Sequence, residues 1–118
     1  MREAGLGRFY LVYFQEPGAA EAELERDPAA ALRRLLWGGS GEGQEGRAPA
    51  ARLNLPPGGG FLDGGPDEGR MPSWLTERDL AYMAAEYGWS GFRGGLNLYR
   101  NIDRNWALTA PWEGAVPR

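Results

Sequence analysis

A stretch rich in glycine and proline runs through the middle of the chain and limits its fold more than any other feature. From position 38 to position 72, 16 of 35 residues are glycine or proline. Glycine weakens helices and strands through its backbone freedom and proline removes a backbone donor, so this composition predicts a long irregular loop over 38–72. We expect four apolar side chains to anchor the loop: Leu53, Leu55, Phe61 and Leu62.

Helical patterns flank this loop on both sides. The region of about 19–37 is expected to form a short helix and then a longer one, which Asp27 caps ahead of a proline. After the loop, Thr76 and the acid three residues later resemble a capping box and predict a helix over about 76–87. The spacing of apolar residues predicts a last helix over about 96–106.

The whole chain, 1–118, is predicted to be one small all-α domain with little core of its own. A chain of 118 residues has no room for two independent cores. The longest strand-like alternation is the short segment 9–14, and the five tryptophans are much aromatic surface for so few helices to cover. We therefore expect another domain to cover part of this surface, and a homo-oligomer through exposed apolar residues is the open alternative.

The charge balance and the missing residue types exclude several functions. With 13 basic and 16 acidic residues the net charge is −3, which argues against nucleic acid and anionic membranes as partners. The absence of histidine and cysteine excludes a Ser-His-Asp triad, a thiolate nucleophile and the usual zinc sites within this chain, and we expect no cofactor or metal. No apolar run is long enough for a signal peptide or a membrane span, so a cytoplasmic location is expected by default.

Two stretches carry a specific pattern. The first is YLVYFQEPG at 10–18, followed by AEAELE at 20–25; the second is GFRGGLNLYRN at 91–101, followed by RNW at 104–106. Together and in this order they resemble the cap, or lid, domain of bacterial soluble epoxide hydrolases, which belong to the α/β-hydrolase superfamily. The resemblance spans nearly the whole chain.

The resemblance implies that the site is divided between two domains. The family's core domain supplies an aspartate nucleophile and a histidine base, and its cap supplies two tyrosines that reach the epoxide oxygen. By motif these tyrosines are Tyr10 and Tyr99, with Tyr13, Phe14 and Leu98 as substrate-binding neighbours. Because the chain lacks the nucleophile segment and histidine, we expect a fragment whose partner is the missing core domain, and no turnover of a small-molecule epoxide by the chain alone.

The chemistry of ring opening explains why tyrosine is suited to this position. Attack by a carboxylate leaves negative charge on the epoxide oxygen, which needs a proton. A phenol with a pKa near 10 stays protonated at neutral pH and can donate a hydrogen bond and then the proton. Two phenols from separate segments fix the oxygen and share its charge, as the donors of an oxyanion hole do.

Other interpretations of the same residues remain open at this stage. The chain is alternatively a helical module that binds a protein, or the lid of a haloalkane-dehalogenase relative with Trp89 or Trp106 at the pocket roof. For Gln15, before the Pro-Gly turn, we expect local hydrogen bonding rather than catalysis. Arg100 and its neighbouring arginines are expected to form structural ion pairs.

Overall fold

The computed structural model describes residues 8–46, 54–64 and 69–115. Its α-helices, in chain order, are α1 Tyr10–Gln15, α2 Ala19–Leu24, α3 Pro28–Gly39, α4 Gly41–Gln44, α5 Glu77–Ser90, α6 Arg93–Arg100 and α7 Ile102–Thr109. Short 3-10 turns lie at Leu62–Gly64 and Ala110–Trp112. Within the described ranges the β-structure amounts to one isolated antiparallel bridge between Phe9 and Asn54, so the predicted all-α class is confirmed.

The core forms where five helices meet. Helix α3 packs along α5, and α1 packs against both α2 and α6. The buried residues of this core come from α1, α2, α3, α5, α6 and the turn before α6: Phe14, Ala20, Leu24, Ala31, Leu32, Leu80, Phe92 and Leu96. Because α1 and α6 come from opposite ends of the chain, this core brings the two sequence motifs together.

The predicted caps define where the longer helices begin. Asp27 Oδ1 accepts a hydrogen bond of 3.0 Å from Ala30 N at the start of α3, which has proline at its first position. At the start of α5, Thr76 Oγ1 accepts from Asp79 N at 3.2 Å, and Asp79 Oδ2 accepts from Thr76 N at 3.1 Å. This reciprocal pair is the capping box that the sequence predicted.

The expected helix over about 96–106 is wrong in its extent, because the chain forms two helices there. Helix α6 already begins at Arg93, and Asn101 separates it from α7. Asn101 N donates to Asn97 O at 3.0 Å, while its own carbonyl accepts from Asn105 N at 2.7 Å, so this residue ends one helix and starts the next. The break leaves Trp106 on an exposed surface, 74% accessible, instead of extending the buried stripe of α6.

Two further differences concern the start of the chain and the loop. Residues 10–15 form helix α1, although 9–14 had the longest strand-like alternation. Within 38–72, Ser40 Oγ accepts from Gly43 N at 3.0 Å and caps the four-residue helix α4, so the loop is not wholly irregular. Glycine is favoured at position 43 because it lacks a Cβ, and a Cβ added there would lie 2.0 Å from Trp37 O.

The predicted loop anchors are confirmed where the structure describes them. Leu55 is buried, with 3% of its surface exposed, and Phe61 and Leu62 pack against the core. Leu53 lies outside the described residues. None of the helices in the described ranges has the length and apolar character needed to cross a membrane.

Candidate functional site

Five aromatic rings form a cluster between α1, α6 and the loop, which we call the aromatic cluster: Tyr10, Tyr13, Phe14, Phe61 and Tyr99. Phe14 is its buried centre, with its ring centroid 4.8 Å from that of Phe61 and 5.0 Å from that of Tyr99. The Tyr10 and Tyr13 centroids lie 5.5 and 6.0 Å from Phe14. Edge-to-face contacts, which Phe14 makes with Tyr10 and Phe61, add to the stability gained from burial, and its contacts with Tyr13 and Tyr99 are tilted.

Tyr10 and Tyr99, the two predicted catalytic residues, lie side by side in this cluster. Their ring centroids are 6.0 Å apart and their planes are inclined by 80°, so the edge of one ring faces the other. Both side chains are half-buried and pack against the core. The fold thus places two phenol rings that are far apart in sequence side by side.

The side chains of Gln15 and Arg100 join the backbone of α1, which carries Tyr10, to that of α6, which carries Tyr99. Gln15 Nε2 donates to Leu11 O on α1 at 3.1 Å and to Tyr99 O on α6 at 3.0 Å. Arg100 Nε donates to Phe14 O at 2.9 Å, and Arg100 Nη2 donates to Glu16 O at 3.2 Å. The bond to Leu11 O is the local hydrogen bond expected for Gln15, whereas its bond to Tyr99 O was not expected and joins α6 to α1.

A buried ion pair completes this connection. Arg100 Nη1 and Nη2 lie 2.6 and 2.9 Å from the two Glu21 carboxylate oxygens, and the side chains are only 13% and 11% exposed. The hydrogen bond from Arg100 lowers the pKa of Glu21 from 4.5 to about 2, and the same bond raises the pKa of Arg100. The structural ion pair expected for Arg100 is present and connects α2 to α6.

The Tyr13 hydroxyl forms its hydrogen bond within the domain. It donates to Glu23 Oε2 at 2.8 Å. Burial, followed by this hydrogen bond, raises the pKa of Tyr13 from 10.0 to about 12. Glu23 also accepts from Phe61 N at 3.0 Å and Leu62 N at 2.8 Å, which holds the loop so that the Phe61 ring lies 6.0 Å from Tyr10.

The AEAELE motif is a set of acceptors whose role the sequence alone did not reveal. Glu21 binds Arg100, Glu23 binds the loop, and Glu25 Oε1 accepts from Phe92 N at 2.9 Å just before α6. Glu21 and Glu23 are two residues apart on a helix and so point to nearly opposite sides. The alternation of glutamate with alanine and leucine was the available signal, but nothing local identifies the partners.

The other predicted site residues lie outside the aromatic cluster. Leu98 is 73% exposed on α6, and Trp89 and Trp106 are 89% and 74% exposed on α5 and α7. A surface groove of about 540 Å³ is formed near the end of α7 by residues that do not include the two tyrosines: Trp106, Thr109, Ala110, Trp112, Glu113 and Ala115. The described residues contain no acidic, histidine or cysteine group of three or more that could hold a metal ion.

Comparison with solved structures defines the class of protein to which this fold corresponds. An epoxide hydrolase from an endophytic Streptomyces has a TM-score of 0.82 at 41% identity, over 97% of this chain and 34% of that chain. Epoxide Hydrolase A from Mycobacterium thermoresistibile has a TM-score of 0.78 at 45% identity, over 93% and 33% of the two chains. The chain therefore corresponds to part of an epoxide hydrolase.

Sequence comparison gives the same assignment. Epoxide hydrolase A of Mycobacterium tuberculosis is 43% identical over 106 residues, which are 90% of this chain and 32% of the relative. Epoxide hydrolase 1 of Siraitia grosvenorii is 42% identical over 108 residues, 91% of this chain and 31% of the relative. The chain spans about a third of the length of these relatives, and no protein-family profile matches it.

Proposed function

We propose that this chain is the cap domain of an epoxide hydrolase and that Tyr10 and Tyr99 act together on the epoxide oxygen. The observation that carries the proposal is the edge-to-face contact of the two rings, 6.0 Å between centroids, on helices that meet only in the folded domain. Both tyrosines lie in motifs of the segment that aligns with epoxide hydrolases. This helical domain carries the two phenol donors but has neither histidine nor cysteine. It therefore requires the rest of a hydrolase for nucleophilic attack on the epoxide carbon.

The proposed reaction has two covalent steps. A carboxylate of the core domain attacks an epoxide carbon, the bond from that carbon to the ring oxygen breaks, and an ester forms. One tyrosine transfers its proton to the departing oxygen while the other donates a hydrogen bond to it. Water then hydrolyses the ester to release the diol and the carboxylate, and a proton returns to the phenolate.

The surroundings of the pair support this division of roles. Phe61 packs beside Tyr10 and provides an apolar wall for the organic part of a substrate, while the buried Phe14 ring supports both phenols from within the core. Tyr13 contributes to this wall through its ring, because its hydroxyl is bound to Glu23. Leu98, one residue before Tyr99, is exposed, and we propose that it contacts substrate from the side that the core domain closes.

The partner in this proposal is the α/β-hydrolase core domain. Several large apolar side chains on α7 and the following turn are exposed: Ile102, Trp106, Leu108 and Trp112. Burying apolar surface contributes roughly 25 cal/mol per Å², so this face provides a substantial driving force for docking. A cytoplasmic location remains a prediction.

Reconstitution in a complete hydrolase tests the proposed function. The segment of the Mycobacterium tuberculosis relative that aligns with this chain is replaced by this chain, and diol formation from styrene oxide is measured. We expect turnover by the chimaera and none by the isolated chain at equal concentration. A folded chimaera without turnover, or repeated turnover by the homogeneous isolated chain, would contradict the proposal.

A further inference from the structure

Helix α5 has a second apolar stripe on the side that faces away from the core. One side of the helix packs inward through Leu80, Met83 and Ala84, and Tyr87 stacks on Phe92 with centroids 4.4 Å apart. The opposite side carries four residues in steps of four, three and four: Arg78, Tyr82, Ala85 and Trp89. This alternation is the spacing of a coiled-coil seam, which aligns residues along one side of a helix.

The outer stripe is unpartnered within the described part of the chain. Tyr82 is 67% exposed and Trp89 is 89% exposed. The side chains of Arg78, Tyr82 and Trp89 form no hydrogen bond, ion pair or ring contact with any described residue. Two large aromatic side chains and an unpaired guanidinium on one rigid helix are well suited to a protein contact, in which aromatic and arginine side chains supply most of the binding energy.

We propose that the outer stripe of α5 pairs with the same stripe of a second copy of this chain, antiparallel and about a two-fold axis. In that register Arg78 lies opposite Trp89 of the other copy, and Tyr82 lies opposite Ala85 of the other copy. Each guanidinium then stacks on an indole, which is a favourable cation–π pair, and each large ring faces a small methyl group. The stripe is thus complementary to itself through cation–π pairing and in size, as a two-fold interface requires.

The same residues disfavour the parallel arrangement. A parallel pair would place the two Arg78 guanidinium groups beside each other and the two Tyr82 rings against each other. Like charges in contact are repulsive, and no small residue would then receive either ring. Since one helix face of 14 residues offers less surface than the roughly 800 Å² per partner of a standard interface, we expect a weak dimer with a dissociation constant of about 10 μM.

Sedimentation equilibrium of the complete chain tests the pairing, and it does so independently of the proposed function. From about 1 μM to about 100 μM the wild type should pass from monomer to dimer. Tyr82→Glu should weaken the dimer at least about tenfold, with an unchanged circular dichroism spectrum. Leu108→Lys, on the exposed side of α7, is the matched control and should dimerise as the wild type does. A monomeric wild type, or loss of the dimer in Leu108→Lys and not in Tyr82→Glu, would overturn the proposal.

A mixing experiment tests the register. R78E alone loses the cation–π pairs, and W89K alone places two cations opposite each other, so each variant should be mainly monomeric. In an equal mixture, the new carboxylate at position 78 of one chain faces the new ammonium at position 89 of the other, and the remaining Arg78 faces the remaining Trp89. Heterodimers should therefore form in this mixture and not in a mixture of R78E with L108K. Failure of the first mixture to associate would refute the antiparallel register.

Discussion

Replacing Arg100 by methionine should destabilise the domain more than any single exposed substitution. The guanidinium is 13% exposed and donates to Glu21, Phe14 O and Glu16 O. Methionine fills similar space but leaves the Glu21 carboxylate without its cation. Breaking a buried ion pair by removing one partner typically costs 3–5 kcal/mol, so we expect a loss of about 4 kcal/mol in the free energy of unfolding at neutral pH.

The pKa of Glu21 gives an independent measure of this loss. A change from 4.5 to about 2 corresponds to about 3 kcal/mol, and solvent screening of the partly accessible pair reduces this to about 2 kcal/mol for the carboxylate alone. The two main-chain carbonyls left without their donor account for the remainder. E21Q alone should therefore cost about 2 kcal/mol, whereas adding E21Q to Arg100→Met should cost less than about 0.5 kcal/mol, because the ion pair is already absent.

Urea unfolding followed by tryptophan fluorescence and by circular dichroism measures these values for the wild type, both single variants and the double variant. The expected interaction energy between positions 21 and 100 is about 1.5 kcal/mol. The reasoning would be refuted by Arg100→Met within about 0.5 kcal/mol of the wild type, or by costs for the two changes that simply add. Either result would mean that the pair is solvated and does not connect α2 to α6.

Three further predictions concern Glu21, Glu23 and the cap of α5. Because the folded-state pKa of Glu21 is depressed, its stabilisation is complete above about pH 4.5 and is lost as the pH falls towards 2; E21Q should flatten the stability curve in that range, and an unchanged acid limb would contradict this. E23Q should lower the Tyr13 pKa from about 12 towards, but not to, its ordinary value, since burial remains; ultraviolet titration of the phenolate measures it, and an unchanged midpoint would remove Glu23 as a cause. Thr76→Ala should cost about 1 kcal/mol in urea unfolding by removing the cap of α5, and a loss below about 0.3 kcal/mol would show that the cap is dispensable.

Features that depend on neighbouring residues could be predicted from the sequence. The capped starts of α3 and α5 depend on side chains within three positions of the groups they bind, so Asp27 and Thr76 were sufficient to locate them. The break at Asn101 could not be found in this way, because apolar spacing continues across it and an asparagine is compatible with either a helix or a cap.

The contacts within the candidate site also could not be predicted from neighbouring residues. The proximity of Tyr10 and Tyr99 was expected only from the resemblance to a family, because nothing local to either residue specifies the other. The contacts of Glu21, Glu23 and Gln15 join residues far apart in the chain, and each could have been satisfied by water in an exposed helix. Only the packing of α1 and α2 against α6 and the loop gives these polar side chains their partners.

The most direct test of the account is the rate of epoxide ring opening in the chimaera when each phenol loses only its hydroxyl. Single-turnover formation of the ester intermediate from styrene oxide is compared in Tyr10→Phe, Tyr99→Phe, the double variant and Tyr87→Phe, a control whose ring stacks on Phe92 away from the pair. We predict that each of the first two changes slows ring opening by about 10²- to 10⁴-fold, that the double variant is slower still, and that the control is unaffected. Near-normal ring opening in either Tyr10→Phe or Tyr99→Phe would contradict the claim that the two phenols act together on the epoxide oxygen.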